Sequence, residues 1–224
     1  MAHKVANFDD ACRAPTAYGT SRFYRRHGKR FFDISLSIFL LPLALLILAV
    51  LVIAARFSGG RPFYFQERIG RNGRVFRCYK VRTMVPNAEN LIHELCEHDP
   101  EIAAEWARDR KLRNDPRITR LGRVLRKTSL DELPQLWNVL KGDMSLVGPR
   151  PVIAEELVYY GAAQESYLAV RPGVTGYWQV SGRNDVSYAS RVQMDRVYVR
   201  RHSLAFDLAI LVKTLGVVVN RTGK

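Results

Sequence analysis

The feature that most constrains the fold is an uncharged apolar run from Ile34 to Ala55. It is rich in Leu and Ile, and it has about the twenty residues that a helix needs to cross a hydrocarbon core. A cleaved signal peptide is disfavoured, because the run starts late, is too long and lacks a small-residue cleavage site before Arg56. The run therefore predicts a membrane helix.

Two features of this run favour a re-entrant course over a spanning one. Pro42 lies inside it, removes a backbone donor and predicts a kink near Leu41. Basic residues flank both ends, and positive charge draws each end to the cytoplasmic side. They are Arg22, Arg25, Arg26, Lys29 and Arg30 before the run and Arg56, Arg61, Arg68, Arg71 and Arg74 after it. We predict a re-entrant helix-break-helix over residues 30–56, with a spanning anchor as the alternative.

The rest of the chain has the composition of a globular domain. With 224 residues, 47% hydrophobic and 25% charged, it is neither a polytopic membrane protein nor a disordered chain. We expect a mobile basic leader over residues 1–29 and one cytosol-facing domain with membrane-interfacial segments over residues 57–224. Three cysteines without a CxxC pair indicate a reducing environment.

The pattern along this domain predicts a mostly α fold with a small β-hairpin. Two short strands flank the turn Gly70–Gly73, and surface helices broken near Pro100 follow. The apolar spacing of Leu133, Leu136, Trp137 and Leu140 predicts a helix with one apolar face. Residues 148–182 are dense in Gly and Pro and predict ordered loops, whereas residues 204–219 suit a membrane surface or a core.

The net charge of +14 indicates a polyanionic partner. Nucleic acid, an anionic lipid leaflet and phosphorylated substrates all satisfy this requirement. Charge alone does not choose among them.

One segment carries two adjacent carboxylates. Ser129 and Glu132 match a capping box, which would place Asp131 and Glu132 at a helix N-terminus, where ionised carboxylates and phosphates are favoured. A well-capped helix without any chemistry explains the same pattern. A glycosidase pair is disfavoured, because those carboxylates stand about 5 Å or more apart across a bond. Adjacent carboxylates suit metal-assisted phosphate chemistry with an Asp nucleophile.

Many basic residues surround this pair in the sequence. They are Lys80, Arg82, Arg117, Arg120, Arg123, Arg126, Lys127, Arg150, Arg171 and Arg183. Guanidinium groups bind phosphate oxygens in pairs, although a solvated surface facing anionic lipid accounts for most of them equally well. Arg150 differs from the others, because prolines fix the backbone on both sides of it as a rigid phosphate clamp requires.

Two further patterns are weaker. The segment Gly173–Arg183 supplies glycines, hydroxyls and aromatic rings for a nucleotide or sugar phosphate, but it is neither a Walker loop nor a GxGxxG fingerprint. His93, Cys96 and His98 have the wrong spacing for a helical metal site and indicate a surface helix instead.

Read together, four motifs resemble the bacterial sugar transferase family, the monotopic phosphoglycosyl transferases that initiate exopolysaccharide, capsule and related glycan assembly. The motifs are Lys80–Met84, Leu125–Leu136, Asn138–Pro151 and Arg171–Arg183, and they occur in the family's order and spacing. The resemblance extends from about Arg30 to the C-terminus. In that family the membrane helix breaks at a Ser-Pro pair, and this chain has Leu41-Pro42 at the corresponding place.

The resemblance implies a two-step reaction at one carboxylate. Asp131 would attack the sugar-linked phosphate of a UDP-sugar and release UMP, and undecaprenyl phosphate would then displace the phosphosugar. Mg2+ would bind at Asp131 and Glu132, with Glu132 assisting the metal or accepting the acceptor's proton. The residues expected to bind substrate are Lys80, Arg82, Arg126, Arg150, Arg171, Gly173, Thr175, Gly176, Gln179 and Arg183.

The resemblance also implies a place in the cell and a set of partners. The catalytic domain would lie on the cytoplasmic face of the bacterial inner membrane, among membrane lipids and without a nucleic-acid partner. Galactose phosphate is favoured as the transferred group by analogy alone, and a homodimer stays open. The alternative function is a non-enzymatic membrane-bound adaptor whose basic surface holds anionic lipid or nucleic acid.

Overall fold

The computed structural model describes residues 22–57, 60–109, 112–182 and 186–219. Most of the predicted leader lies outside these ranges, and residues 22–29 of it are helical, with the π-helical turn Tyr24–Gly28 leading into the first α-helix. The described residues form a mostly helical fold, as predicted. They contain two small sheets, of which only the antiparallel hairpin was predicted.

The elements follow one another in short segments. The first half contains α1 Lys29–Phe57, β1 Phe63–Ile69, β2 Val75–Val81, α2 Ala88–His98, α3 Pro100–Asp109 and α4 Arg120–Thr128. The second half contains α5 Gln135–Lys141, β3 Ser145–Val147, α6 Ala154–Leu157, α7 Gln164–Leu168, β4 Gly173–Thr175, α8 Tyr177–Ser181, α9 Tyr188–Arg201 and α10 Leu204–Val219. Residues 148–182 hold no helix longer than a few turns, in agreement with the predicted loop region.

The predicted hairpin is confirmed. Strands β1 and β2 pair antiparallel with Phe63 opposite Val81 and Ile69 opposite Val75. The turn between them contains Asn72 at a φ of 58°, a left-handed conformation that Asn tolerates better than most residues. The break predicted near Pro100 is also confirmed, because Pro100 begins α3.

Helix α1 packs along its whole length on the rest of the domain. Asp33, Ser37, Ala44, Leu51 and Ala55 are buried and recur at spacings of four and seven, so they form one face of the helix. The opposite face exposes large apolar side chains, which are Phe31, Ile38, Phe39, Leu43, Leu45, Leu46, Val50 and Ile53. An exposed apolar face of this size is suited to contact with a membrane or a partner.

This helix is assigned without interruption from Lys29 to Phe57, with Pro42 inside it. The predicted break is therefore absent from its helical assignment, while a bend and a re-entrant course stay predictions. Among the described residues, only the segment Tyr24–Arg56 is long and apolar enough to cross a membrane.

A buried polar network ties the start of α1 to α10 and β3. Lys29 forms salt bridges with Asp33 at 2.9 Å and Asp207 at 3.0 Å. Asp33 accepts a 2.8 Å hydrogen bond from Ser145, and Tyr198 donates one of 2.9 Å to Asp207. Lys29, which the sequence analysis grouped with the basic residues before the apolar run, thus forms salt bridges inside the protein.

Candidate active site

Asp131 and Glu132 lie on a single 3-10 turn, Leu130–Glu132, between α4 and α5. Ser129 ends α4 in a left-handed conformation at a φ of 57°, and its side chain makes no capping bond. The predicted capping box is therefore wrong. A left-handed residue stops one helix and Pro134 resists the interior of the next, so the two carboxylates occupy a separate turn.

Lys80 on β2 connects the hairpin to this turn. Its ammonium Nζ lies 2.7 Å from Glu132 Oε1 and 4.0 Å from Asp131 Oδ2. Because the hairpin fixes Lys80 and the turn fixes the carboxylates, the three charged groups are held together by two independent elements. The sequence prediction that grouped Lys80 with this pair agrees with the geometry.

The two carboxylates have opposite pKa shifts. Asp131 is only 8% exposed, and burial raises its pKa to about 6 although Lys80 and Arg126 oppose the change. Burial also acts to raise the pKa of Glu132, but Lys80 and Arg150 outweigh it and the pKa lies below its ordinary value. Glu132 is thus ionised throughout the physiological pH range, whereas the pKa of Asp131 lies close to that range.

Arg126 reaches the site because α4 packs tightly on the chain after β2. A Cβ on Gly122 would lie 1.9 Å from the carbonyl oxygen of Thr83, so only glycine permits this approach. This close packing lets Arg126 Nε donate a 2.9 Å hydrogen bond to Thr83 Oγ1. The positive charge of Arg126 also acts on the Asp131 carboxylate. Arg117 is used elsewhere, in a 2.7 Å salt bridge with Asp115.

Arg150 has a fixed backbone and an open side chain. The carbonyl of Pro149 accepts a 2.7 Å hydrogen bond from Gly173, and that of Pro151 accepts one of 3.2 Å from Arg68. Within the described part of the chain, the guanidinium of Arg150 makes no hydrogen bond or salt bridge. The backbone on both sides of Arg150 is held by hydrogen bonds, and its role as a phosphate clamp stays a prediction.

An apolar cavity of about 270 Å³ opens beside the turn. Leu40, Leu43 and Ile47 of α1 line one wall, Thr214 and Val218 of α10 line another, and Glu132 closes one side. Thr175 and Gln179, predicted to bind substrate, also line it. The cavity thus joins the charged turn to the apolar helix.

Four other predicted substrate residues make contacts within the fold itself. Arg171 Nε donates a 2.7 Å hydrogen bond to Gly142 at the far end of α5, and Arg82 lies against Gly60. A Cβ on Gly173 would lie 2.1 Å from Gly148 N, and one on Gly176 would lie 2.4 Å from Gly148 O. These glycines let backbone segments meet. Arg183 lies outside the described residues.

Sequence reasoning missed Arg191 on α9. Its guanidinium lies 4.7 Å from the ring centroid of Trp178, and its Nε is buried without a hydrogen-bond partner in the described residues. No local pattern marks this residue, because the helix that carries it reaches the site only through tertiary packing.

The donor set fits a shared divalent cation rather than a resident one. In the described ranges no group of three or more His, Cys, Asp or Glu side chains could hold a metal. Asp131 and Glu132 still offer two carboxylates, and Mg2+ commonly binds one or two carboxylates together with substrate phosphates and water. His93, Cys96 and His98 lie on α2, as the surface-helix interpretation predicted.

A family model and individual relatives, compared with this chain, give matches that agree with one another. The model of the bacterial sugar transferase family matches residues 24–221. The chain is 53% identical over 198 residues to the UDP-galactose-lipid carrier transferase of Erwinia amylovora and, over the same length, to the undecaprenyl-phosphate galactose phosphotransferase of Salmonella typhimurium. Each match covers 88% of this chain but only 42% of the relative.

A shorter relative is covered almost fully. The chain is 50% identical over 192 residues to the exopolysaccharide production protein ExoY of Sinorhizobium fredii, which covers 85% of both chains.

Proposed function

Because the chain belongs to the bacterial sugar transferase family, we propose that it transfers a sugar 1-phosphate from a UDP-sugar to undecaprenyl phosphate. The observation that carries this proposal is the Asp131 turn, where a buried carboxylate with a pKa of about 6 adjoins Lys80 and Arg126. Two relatives are named for galactose transfer, which favours UDP-galactose as the donor. The product would begin an exopolysaccharide or related glycan.

The first half-reaction uses Asp131 as the nucleophile. One carboxylate oxygen attacks the sugar-linked phosphorus, the bond from that phosphorus to the bridging oxygen breaks, and UMP leaves with the electron pair. Lys80 and Arg126 offset the charge that gathers on the phosphate oxygens, and Arg150 holds the diphosphate. The enzyme then carries the phosphosugar on Asp131.

The second half-reaction returns Asp131 to its free state. A phosphate oxygen of undecaprenyl phosphate attacks the same phosphorus, and the bond to the Asp131 carboxylate breaks. Glu132 accepts the acceptor's proton when the acceptor arrives as a monoanion. Two displacements at one carboxylate predict ping-pong kinetics.

Mg2+ is the expected cofactor, held by Asp131 and Glu132 together with the substrate diphosphate. It would supply charge neutralisation between the anionic nucleophile and the anionic phosphates. Lys80 supplies part of the same effect from the protein itself, through its salt bridge to Glu132.

The apolar cavity is a suitable place for the first isoprene units of the acceptor. Its lining from α1 and α10 is apolar, and Glu132 lies where the acceptor's phosphate would have to arrive. An isoprenoid chain gains free energy from leaving water, and these walls lie beside the exposed apolar face of α1.

The packing of α1 supports a monotopic, re-entrant placement at the inner membrane. Its first turns contact Asp207 and Ser145, and its last turns contact the cluster of Leu51, Val81 and Leu125. Both ends therefore lie against one polar domain, which a helix that crossed the bilayer could not keep on a single side. The catalytic domain would face the cytoplasm.

The test is UMP release by purified enzyme from a panel of UDP-sugars, with Mg2+ and undecaprenyl phosphate. Wild type is expected to release UMP from one donor and to form a lipid-linked diphosphate sugar, and Asp131→Asn is expected to lose both. Asp99→Asn is the matched control, because Asp99 caps α3 far from the turn. Release that survives Asp131→Asn, or its absence with every donor, would return the function to a membrane adaptor.

A further inference from the structure

Arg150 and Arg191 form an arginine pair that lacks a bound anion. Within the described residues, neither guanidinium makes a hydrogen bond or a salt bridge, and one face of Arg191 is covered by Trp178 at 4.7 Å. The Nε of Arg191 is buried without a partner. Its burial keeps a ligand from Nε, so the Nη groups of the two arginines are the donors that an anion can reach.

Contacts around the two side chains place them in one region. Arg68 donates to the carbonyl of Pro151, next to Arg150, and lies 3.7 Å from Glu156. The carbonyl of Glu156 accepts a 3.3 Å hydrogen bond from Tyr188, one helical turn before Arg191. Burial lowers the pKa of Arg191, and the like charge of Arg150 lowers it further. Glu156 offsets part of the repulsion, yet its own salt bridge is a 3.7 Å contact with Arg68, and its side chain is 37% exposed. The local balance of charge therefore stays positive.

Arg68 positions this pair instead of joining it. Its guanidinium donates to the carbonyl of Pro151 at 3.2 Å and to Gln66 at 2.6 Å. Ile69 next to it donates a 2.9 Å backbone hydrogen bond to Val152. The hairpin thus holds the loop that carries Arg150, while the donors of Arg150 and Arg191 remain open.

The pair lies in range of the reacting turn but outside the acceptor cavity. Helix α8 connects the two places, because a Cβ on Gly176 would lie 2.4 Å from Gly148 O in the loop that leads to Arg150. On the same helix, Trp178 lies against Arg191 and Gln179 lines the cavity together with Glu132. Neither arginine lines the apolar cavity between α1 and α10. A phosphate that reaches the turn through that cavity would not meet Arg191, whereas the distal phosphate of a bound diphosphate would.

We propose that Arg191, together with Arg150, binds the nucleotide-side phosphate of the donor, the phosphate that departs as UMP. This inference rests on the proposed transferase function and assigns its leaving-group site. Two guanidiniums offer paired donors to phosphate oxygens, and they stabilise the charge that UMP acquires as the bond breaks. Arg191 is then a binding residue that acts on the leaving group.

The experiment measures UMP binding directly by titration calorimetry on purified enzyme in lipid nanodiscs. Arg191→Gln is expected to weaken UMP binding by about tenfold or more, the effect of losing a charge-assisted hydrogen bond, and to leave uridine binding unchanged. Arg191→Lys should retain part of the affinity because it keeps the charge. Arg196→Gln is the control on the same helix, since Arg196 contacts only Gln193 among the described residues.

Kinetics separate the two sources of phosphate. Arg191→Gln should raise the KM for the UDP-sugar and leave the KM for undecaprenyl phosphate unchanged. An unchanged UMP affinity, an equal loss of UMP and uridine binding, or a rise confined to the KM of the acceptor would each overturn the assignment. If wild type turns over and the variant still binds UMP, only this inference fails; if wild type releases no UMP from any donor, the proposed function fails.

Discussion

In its proposed role as the nucleophile, Asp131 has to be ionised, yet its surroundings make ionisation costly. Burial disfavours its charged form, and the neighbouring Glu132 carboxylate adds to that effect. Lys80 and Arg126 recover part of the cost, so the pKa settles at about 6 and most of the side chain is ionised at neutral pH. A carboxylate in this state is less well solvated, and therefore a better nucleophile, than one in water.

The first prediction concerns the pH dependence of UMP release. Because burial raises the pKa of Asp131 to about 6 and only the carboxylate attacks, kcat/KM for the UDP-sugar should be constant above that pH. It should be halved near pH 6 and fall about tenfold for each further pH unit. Initial rates between pH 5 and 8, checked for reversibility at pH 7.5, measure this profile.

Lys80 provides the control for that profile. It is the charge that most strongly opposes the rise in the pKa of Asp131, so Lys80→Met should move the acid limb to higher pH. Lys127→Met removes an exposed charge from α4 and should leave the limb in place. A wild-type limb near the ordinary carboxyl value of about 4 would contradict the assignment of Asp131 as the titrating nucleophile.

At the scale of elements, α1 is held at both ends. Its first residues join the network of Lys29, Asp33 and Asp207, and its last turn places Ala55 at 1% exposure. The exposed apolar face runs between these two anchored ends. A helix attached in this way forms part of the wall of the domain, and in the proposed placement it would hold the domain against the membrane.

The second prediction tests the course of α1 through the bilayer. Single cysteines are placed at Arg26 and Arg61, both exposed, in a background without the native cysteines. A membrane-impermeant thiol reagent should label both from the cytoplasmic side and neither from the periplasmic side, because both ends of α1 lie on one domain. Labels on opposite sides would establish the spanning alternative and reject the re-entrant one.

Elements specified by local signals were predictable from the sequence. The hairpin follows from two short strand-like runs around the turn Gly-Arg-Asn-Gly, and Pro100 marks a helix start by its fixed φ. The Asp131 turn was placed correctly but given the wrong geometry, because a left-handed Ser129 has no sequence signature. Trp137 has the same apolar spacing as the other residues of its helix face, yet it is 61% exposed. Hydrophobic periodicity predicts that such a residue is buried.

Residues whose role depends on tertiary contacts were not predictable. Arg171 has the motif and charge of a phosphate ligand, but its Nε is used on the Gly142 carbonyl at the end of α5. Arg191 has no motif and still meets Arg150, because packing between α8 and α9 brings Trp178 beneath it. Charge in a sequence identifies candidates, and only the fold determines which of them keep free donors.

At the scale of the whole molecule, the site lies between a charged region and an apolar cavity. On one side of the site lie the charged groups of the hairpin, the Asp131 turn and α9. On another side lies the apolar cavity, which is lined by α1 and α10. In the proposed reaction, the nucleotide sugar and the lipid would therefore reach Asp131 from different sides. Neither substrate would have to enter the environment of the other.

The third prediction tests the acceptor side of this arrangement. Leu43→Trp enlarges a side chain that lines the cavity, so it should raise the KM for undecaprenyl phosphate and spare the single-turnover release of UMP without acceptor. Leu46→Trp is the matched control, because Leu46 has a similar exposure on the same helix but does not line the cavity. Equal behaviour of the two variants would remove the acceptor from this cavity.

The network that joins α1 to α10 also decides when the protein can finish folding. Tyr24 and its partner Asp207 are 183 residues apart along the chain, and Asp33 and Ser145 are 112 apart. Contacts this distant in sequence close late, and a growing chain emerges from the ribosome in order. The apolar helix is therefore synthesised long before the groups that pair with its buried charges, and a nascent chain must shelter it in the interim. With α1 in the membrane as proposed, the bilayer would provide that shelter, and membrane contact would precede assembly of the Asp131 turn.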